Sequence, residues 1–96
     1  MASSLADVHS NDPVRLLRWL CNHWRHKFEI RNDHDGHALI PLAETGNAEF
    51  NIEGEILHIV ASHDDAEKLP RLQDVIAVHL QRFARNETLQ FDWRAG

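Results

Sequence analysis

The stretch LPRLQDVIAVHLQRFARNETLQFDW, residues 69–93, decides the fold. At about 100° per residue around a helix axis, Leu69, Leu72, Ile76, Leu80 and Phe83 fall in one sector, the spacing of a face that packs on a core. Arg71, Asp74, Gln81 and Arg85 occupy the far side, with Lys68, Gln73 and Arg82 on its flanks. The spacing predicts a helix over 69–85. Asn86-Glu87-Thr88 then turns the chain, and Leu89, Phe91 and Trp93 alternate with Gln90 and Asp92 at the period of a strand. One residue breaks the division between wet and dry. His79 lies in the dry sector, so an imidazole is aimed inward.

A helix with a single dry face needs a second layer, and the residues before it supply one. Asp64 and Glu67 stand at the spacing of a capping box, and Pro70 is tolerated only in the first turn of the helix. Residues 55–61 read as a strand that is apolar on both sides, with Leu57 and Ile59 on one and Ile56 and Val60 flanking His58 on the other. Ala48, Phe50 and Ile52 share a face of a strand over 47–52, and Ala38, Ile40 and Leu42 share a face of one over 37–42. Pro41 cannot donate to a ladder, so that strand ends there or exposes that side. Phe28 and Ile30 alternate with Glu29 and Arg31 as a further strand. Asn32-Asp33-His34-Asp35-Gly36, Glu44-Thr45-Gly46 and Glu53-Gly54 are the turns between them.

Asp12 before Pro13 reads as an N-cap with proline at the first helical position. The helix that follows, over 13–26, carries a core stripe of Val14, Leu17, Leu20, Cys21 and Trp24, widened on one flank by Leu16 and Trp19. The expected fold is α+β in the order α-β-β-β-β-α-β. It is a four-stranded antiparallel meander plus a C-terminal fifth strand, with both helices packed on one face. Residues 1–11, small, polar and aperiodic, are expected to be a flexible tail, and 12–96 a single domain.

Ten Lys and Arg against fifteen Asp and Glu give a net charge of −5. That balance argues against a nucleic-acid partner, which needs a positive surface. No apolar run is long enough to span a bilayer, no signal-peptide pattern opens the chain, and the one cysteine, Cys21, permits no internal disulfide. A cytoplasmic protein without membrane contact is expected. The eight histidines are the compositional outlier, enough to carry the net charge from −5 to about +3 if all were protonated.

His23 and His26 lie three apart at the end of the first helix, on the flank that carries Trp19, and His79 lies in the second. Three imidazoles bind a divalent transition metal when their nitrogens converge at about 2.0–2.1 Å from one ion. His23, His26 and His79 are therefore the candidate ligand or metal residues, with Trp19 and Lys27 as candidate pocket lining and no catalytic residue assigned. The bland alternative is equally concrete. His26 and Lys27 complement a helix C-terminus, and His79 is a core histidine bonded to a backbone carbonyl. A third alternative makes His79 a general base in a pocket. Leu39, Ile56, His58 and Val60 would face away from the helices, so a homodimer through the open sheet face is the expected way to cover them.

The segments Leu20-Cys21-Asn22-His23-Trp24-Arg25-His26-Lys27, His79-Leu80-Gln81-Arg82-Phe83-Ala84 and Leu89 to Trp93 resemble the bacterial domain of unknown function 2218. The resemblance spans most of 13–93 and departs chiefly at Trp24, where phenylalanine is common. It implies a small cytoplasmic domain without an established activity. Some members are similar to segments associated with siderophore-interacting, flavin-dependent iron reductases. That implies a role near iron or siderophore handling, with such a reductase as a partner.

Overall fold

The structure, a computed structural model, describes residues 2–32, 36–84 and 86–96. Strand-forming residues gather into a five-stranded antiparallel sheet in the order β2-β3-β4-β1-β5. Its strands are β1 (Ala2–His9), β2 (His37–Ala43), β3 (Gly46–Glu53), β4 (Ile56–His63) and β5 (Arg94–Ala95). The helices are α1 (Pro13–Trp24) and α2 (Leu69–Phe83), the latter preceded by a 3-10 turn, Ala66–Lys68. This is an α+β fold.

One strand comes from unexpected residues. The expected flexible tail over 1–11 is instead β1, paired with β4 from Ala2↔His63 to His9↔Ile56 and with β5 on its other side. Its even positions explain why it pairs: Ser4, Ala6 and Val8 point into the core and are buried, while Asp7 and His9 are exposed. The strand expected over 27–31 is reduced to one bridge, Arg31↔Leu39, because Lys27 and Phe28 still donate their backbone N–H to the Trp24 carbonyl as the end of α1. The closing strand begins at Arg94, later than expected. Leu89 is buried, and Phe91 and Trp93 pack on the core as a stacked pair 6.3 Å apart. Positions 33–35 of the expected hairpin turn, and Arg85 at the expected end of α2, lie outside the described residues.

Asp12 caps α1 by accepting from the Arg15 backbone N–H, with Pro13 at the first helical position. The buried stripe of α1 is Leu16, Leu17, Leu20, Cys21 and Trp24. Leu16 thus takes the place expected for Val14, which is 37% exposed. The helix α2 buries Leu69, Leu72, Ile76 and Leu80. Ahead of it, the capping carboxylate is Asp65, which accepts from the Glu67 N–H, rather than the Asp64 expected from spacing. Pro41 falls where β2 slips register between Ile40 and Ala43, on the edge strand of the sheet, the place where a missing N–H costs least.

Both helices lie on the sheet face formed by rows such as Ala38↔Phe50↔Ile59↔Ala6, whose members are at most 1% exposed. The other face carries Leu39, Glu49, Val60 and Leu5 in one row and His37, Asn51, His58 and Asp7 in the next.

Gly46 is needed for space. A Cβ there would lie 2.6 Å from Cδ2 of His63, its partner in the β3–β4 register and itself buried. Gly46→Ala is expected to destabilise the fold by about 1–3 kcal/mol, as overpacking of a close contact does. Urea titration checks this, and a midpoint equal to that of the native chain would refute it.

Candidate functional site

The C-terminal half of α2 and the C-terminal half of α1 bring four rings together. His79 lies with its ring centroid 4.9 Å from Trp24 and 5.3 Å from His23, and His23 lies 5.5 Å from Phe83. Trp19, one turn before His23, continues the aromatic face at 6.2 Å from Phe83. These contacts follow from helical spacing. Residues 19 and 23 share a face of α1, residues 79 and 83 share a face of α2, and the two helices pack against each other.

His79 is half-buried, so it is neither sealed in the core nor fully open. Its Nδ1 lies 2.8 Å from the Val75 carbonyl, which can only accept, so Nδ1 carries the proton and donates. In the neutral ring that leaves Nε2 as an acceptor. The pKa of His23 is lowered from its ordinary value of 6.5, first by desolvation against its neighbours and then by the charges of His79, Arg82 and Lys27. Although His23 is exposed overall, the ring edge turned toward His79 and Phe83 is shielded.

Because its folded value is lowered, protonating His23 works against the fold. Its unfavourable contribution grows as pH falls through the ordinary histidine range. His79→Gln is expected to raise the His23 midpoint while leaving it below 6.5, since desolvation is the larger cause. Imidazole NMR titration reads the shift, and an unmoved midpoint would show that the two rings do not interact.

The expected convergence of His23, His26 and His79 is only partial. The helix α1 ends at Trp24, and His26 sits exposed in the turn beyond it. Among the described residues, no group of three His, Cys, Asp or Glu side chains is placed to hold a metal ion. Two imidazoles alone fall short of the three protein ligands that a typical zinc site uses. Cys21 takes no part: it is buried, and burial pushes its thiol pKa up against the weaker opposing pulls of Asn32 and Arg25. Lys27 is exposed, and its charge helps to lower the pKa of His23.

Beside the ring cluster opens a cleft of about 510 Å3, lined by Arg15, Trp19, Arg82 and Phe83 among others. Its two carboxylates are already engaged. Asp12 caps α1, and Glu87 accepts from the Ser10 hydroxyl at 3.0 Å and the Asn11 N–H at 3.1 Å. The guanidinium of Arg15 lies 5.9 Å over the Trp19 ring. Between residues 13 and 27 the chain has Arg15, Arg18, Arg25 and Lys27 and no acidic residue, so a chain of net charge −5 presents a positive helix surface here.

A second polar constellation on the open sheet face was invisible to sequence spacing. Asp7 accepts from Arg94 Nη2 at 2.7 Å and bonds His58 Nδ1 at 2.6 Å, and His37 Nε2 lies 2.9 Å from Glu49. The Asp7 carboxyl is held below its ordinary 3.8 by the hydrogen bond from Arg94 first and that from His58 second. Stabilisation by this carboxylate is therefore present above pH 3.8 and fades as pH falls through the lowered value. Arg94→Gln is expected to return the Asp7 midpoint toward 3.8, as read by carboxyl NMR; no upward movement would discount the pair.

The family model described as "Uncharacterized protein conserved in bacteria (DUF2218)" matches residues 5–94, the whole sheet and both helices. The chain belongs to the DUF2218 family. A solved structure shares the fold: the NMR structure of PA4090 from Pseudomonas aeruginosa is similar to this chain at 30% identity and a TM-score of 0.79. The likeness covers 98% of this chain and 96% of that one. No curated protein matches the chain. DUF2218 membership carries no activity of its own, so function has to be argued from the site. No helix among the described residues is long and apolar enough to cross a membrane.

Proposed function

We propose that this DUF2218 chain is a cytoplasmic, non-enzymatic binding module whose α1–α2 cleft takes an anionic ligand with flat aromatic or conjugated faces. By the family resemblance, a ferric chelate of the siderophore class is the ligand, and a flavin-dependent iron reductase the partner that uses it. The observation that carries this reading is the cleft wall itself. Trp19, 47% exposed, and Phe83 line the cleft together with Arg15 and Arg82, the His23–His79 pair packs behind Phe83, and both carboxylates of the lining are already hydrogen-bonded. Rings supply stacking surface and guanidinium groups supply charge and directed donors, the combination that recognises planar anions.

Ferric tris(catecholate) serves as the probe, followed by quenching of tryptophan fluorescence, with the gallium analogue for NMR mapping. Saturable binding is expected, weakened by about tenfold or more in Arg15→Glu and in Trp19→Ala, the loss that one charge-assisted or stacking interaction carries. Binding that is absent, or unchanged in both variants, would overturn the reading. The rival in which His79 is a general base would show as conversion of a bound small molecule that His79→Gln abolishes while binding persists.

A second reading concerns the open sheet face. Leu5, Leu39, Ile56 and Val60 lie there half-buried among groups of both signs, Asp7, Glu49 and Arg94. A surface carrying both signs complements itself about a twofold axis, which favours a second copy of this chain as its cover. Sedimentation across the micromolar range is expected to show a dimer that Val60→Asp dissociates. A native chain that stays monomeric throughout would remove this reading.

A further inference from the structure

At the opposite end of α2 from Phe83, the helix start and the ends of β2 and β4 enclose a separate cleft of about 490 Å3 that shares no lining residue with the first. Leu42, Leu72 and Val75 form its apolar part, Lys68 and Arg71 stand at α2's first turn, and His63 closes the sheet side. None of its lining residues is acidic. Among the described residues, neither Lys68 nor Arg71 is in an ion pair.

His63 is the unusual member. Only 6% exposed, it accepts the Asp65 backbone N–H on Nδ1 at 2.9 Å, so the proton of the neutral ring sits on Nε2. That Nε2–H has no hydrogen-bond partner among the described residues. That nitrogen is not sealed from solvent, so its N–H is free to donate to water or to the acceptor of a ligand in the cleft. The sequence also makes room for the ring, since a Cβ at Gly46 would collide with it. An available N–H donor, two cations without an ion-pair partner among the described residues and an apolar floor fit an occupant that is negative at one end and greasy at the other.

We propose that this cleft binds a medium-chain fatty acid. Its carboxylate would accept from the His63 Nε2–H and the side chains of Lys68 and Arg71, and its alkyl chain would lie over Leu42, Leu72 and Val75. The volume lies within the range of about 300–1,000 Å3 usual for small-molecule sites. Phosphate or a bare carboxylate would satisfy the cations and leave the apolar floor wet; a neutral alkane or alcohol would leave three donors unmatched.

Octanoate titrated into the isotopically labelled full chain is the test, with octan-1-ol and acetate as the two half-ligands. Octanoate is expected to shift the His63 ring and the amides of Lys68, Leu72 and Val75, and to leave Arg15, Trp19 and His23 unmoved, so this site stands or falls apart from the α1–α2 cleft. The exposed double variant Lys68→Glu/Arg71→Glu, which alters no buried side chain, is expected to weaken binding by about a hundredfold, about tenfold for each charge-assisted hydrogen bond removed. Val75→Phe, which fills the cleft without altering charge, is expected to weaken octanoate as well. No shift with octanoate would overturn the proposal, as would equal binding of octan-1-ol and octanoate, or binding unchanged in the charge-reversed variant.

Discussion

Deletion of residues 2–9 is expected to abolish the folded state rather than trim an end. β1 is an interior strand: it pairs along its whole length with β4 and holds β5 on its other side. Removing it strips a row of ladder bonds worth about 0.5–1.5 kcal/mol each and the burial of Val8, worth about 1.5–3 kcal/mol. It also uncovers Leu57, Ile59 and Ala61 of β4, each at most 1% exposed in the intact sheet. The loss equals or exceeds the whole stability of about 5–15 kcal/mol expected of a domain this size. Circular dichroism and amide dispersion check the outcome. A truncated chain that still melts cooperatively near the native midpoint would show that β1 is an accessory strand. Asp7→Asn is the control, because Asp7 is exposed and its loss leaves the strand's buried side intact.

The same strand shows where sequence reading ran out. Both helices and the strands β2, β3 and β4 were legible because each repeats large apolar residues at a fixed period: Leu72, Ile76 and Leu80, or Ala48 and Phe50. In β1 the inward positions are Ser4, Ala6 and Val8, so the period of two is present but carried by side chains too small to announce it. Ala6 and Val8 stand opposite the larger Ile59 and Leu57, and Ser4 opposite Ala61. The error at 28–31 is the converse. Phe28 and Ile30 do alternate, yet the Lys27 and Phe28 N–H groups still bond the Trp24 carbonyl at the end of α1, and among the described residues a single bridge, Arg31↔Leu39, joins the segment to β2.

The candidate site divides the same way. That His23 and His79 each lie toward a helix–helix contact follows from helical spacing, so their approach to 5.3 Å was within reach of the sequence. The exclusion of His26 was not: it falls in the turn beyond Trp24, the last residue of α1, where it is exposed. Asp7 and Arg94, 87 residues apart, meet only because the two chain ends pair as β1 and β5. No local pattern encodes that contact.

Phe50→Ala is expected to be the most damaging single substitution, costing about 3–5 kcal/mol and lowering the melting temperature by about 15–30 °C. Phe50 is fully buried at the centre of β3, in the row Ala38↔Phe50↔Ile59↔Ala6. Its flanking partner on β2 is alanine, and Ala48 and Ala61 stand in the adjoining row, so on those sides no side chain is long enough to fill the vacancy. The cost therefore belongs at the upper end of the range for a large-to-small change. It also reaches the proposed ligand site. Both α1 and α2 rest on β3, and the spacing of Trp19 and His23 from His79 and Phe83 is set by how the two helices seat on that strand. Well below its melting temperature the variant should still fold, yet bind ferric tris(catecholate) more weakly, although Phe50 touches no part of the cleft. Phe50→Leu, which fills most of the volume, should recover most of both losses. Thermal denaturation and fluorescence titration on the same three proteins separate the effects. Stability lost without any change in affinity would mean that the helix pair holds its geometry independently of the sheet beneath it, and that the cleft is a property of the α1–α2 packing alone.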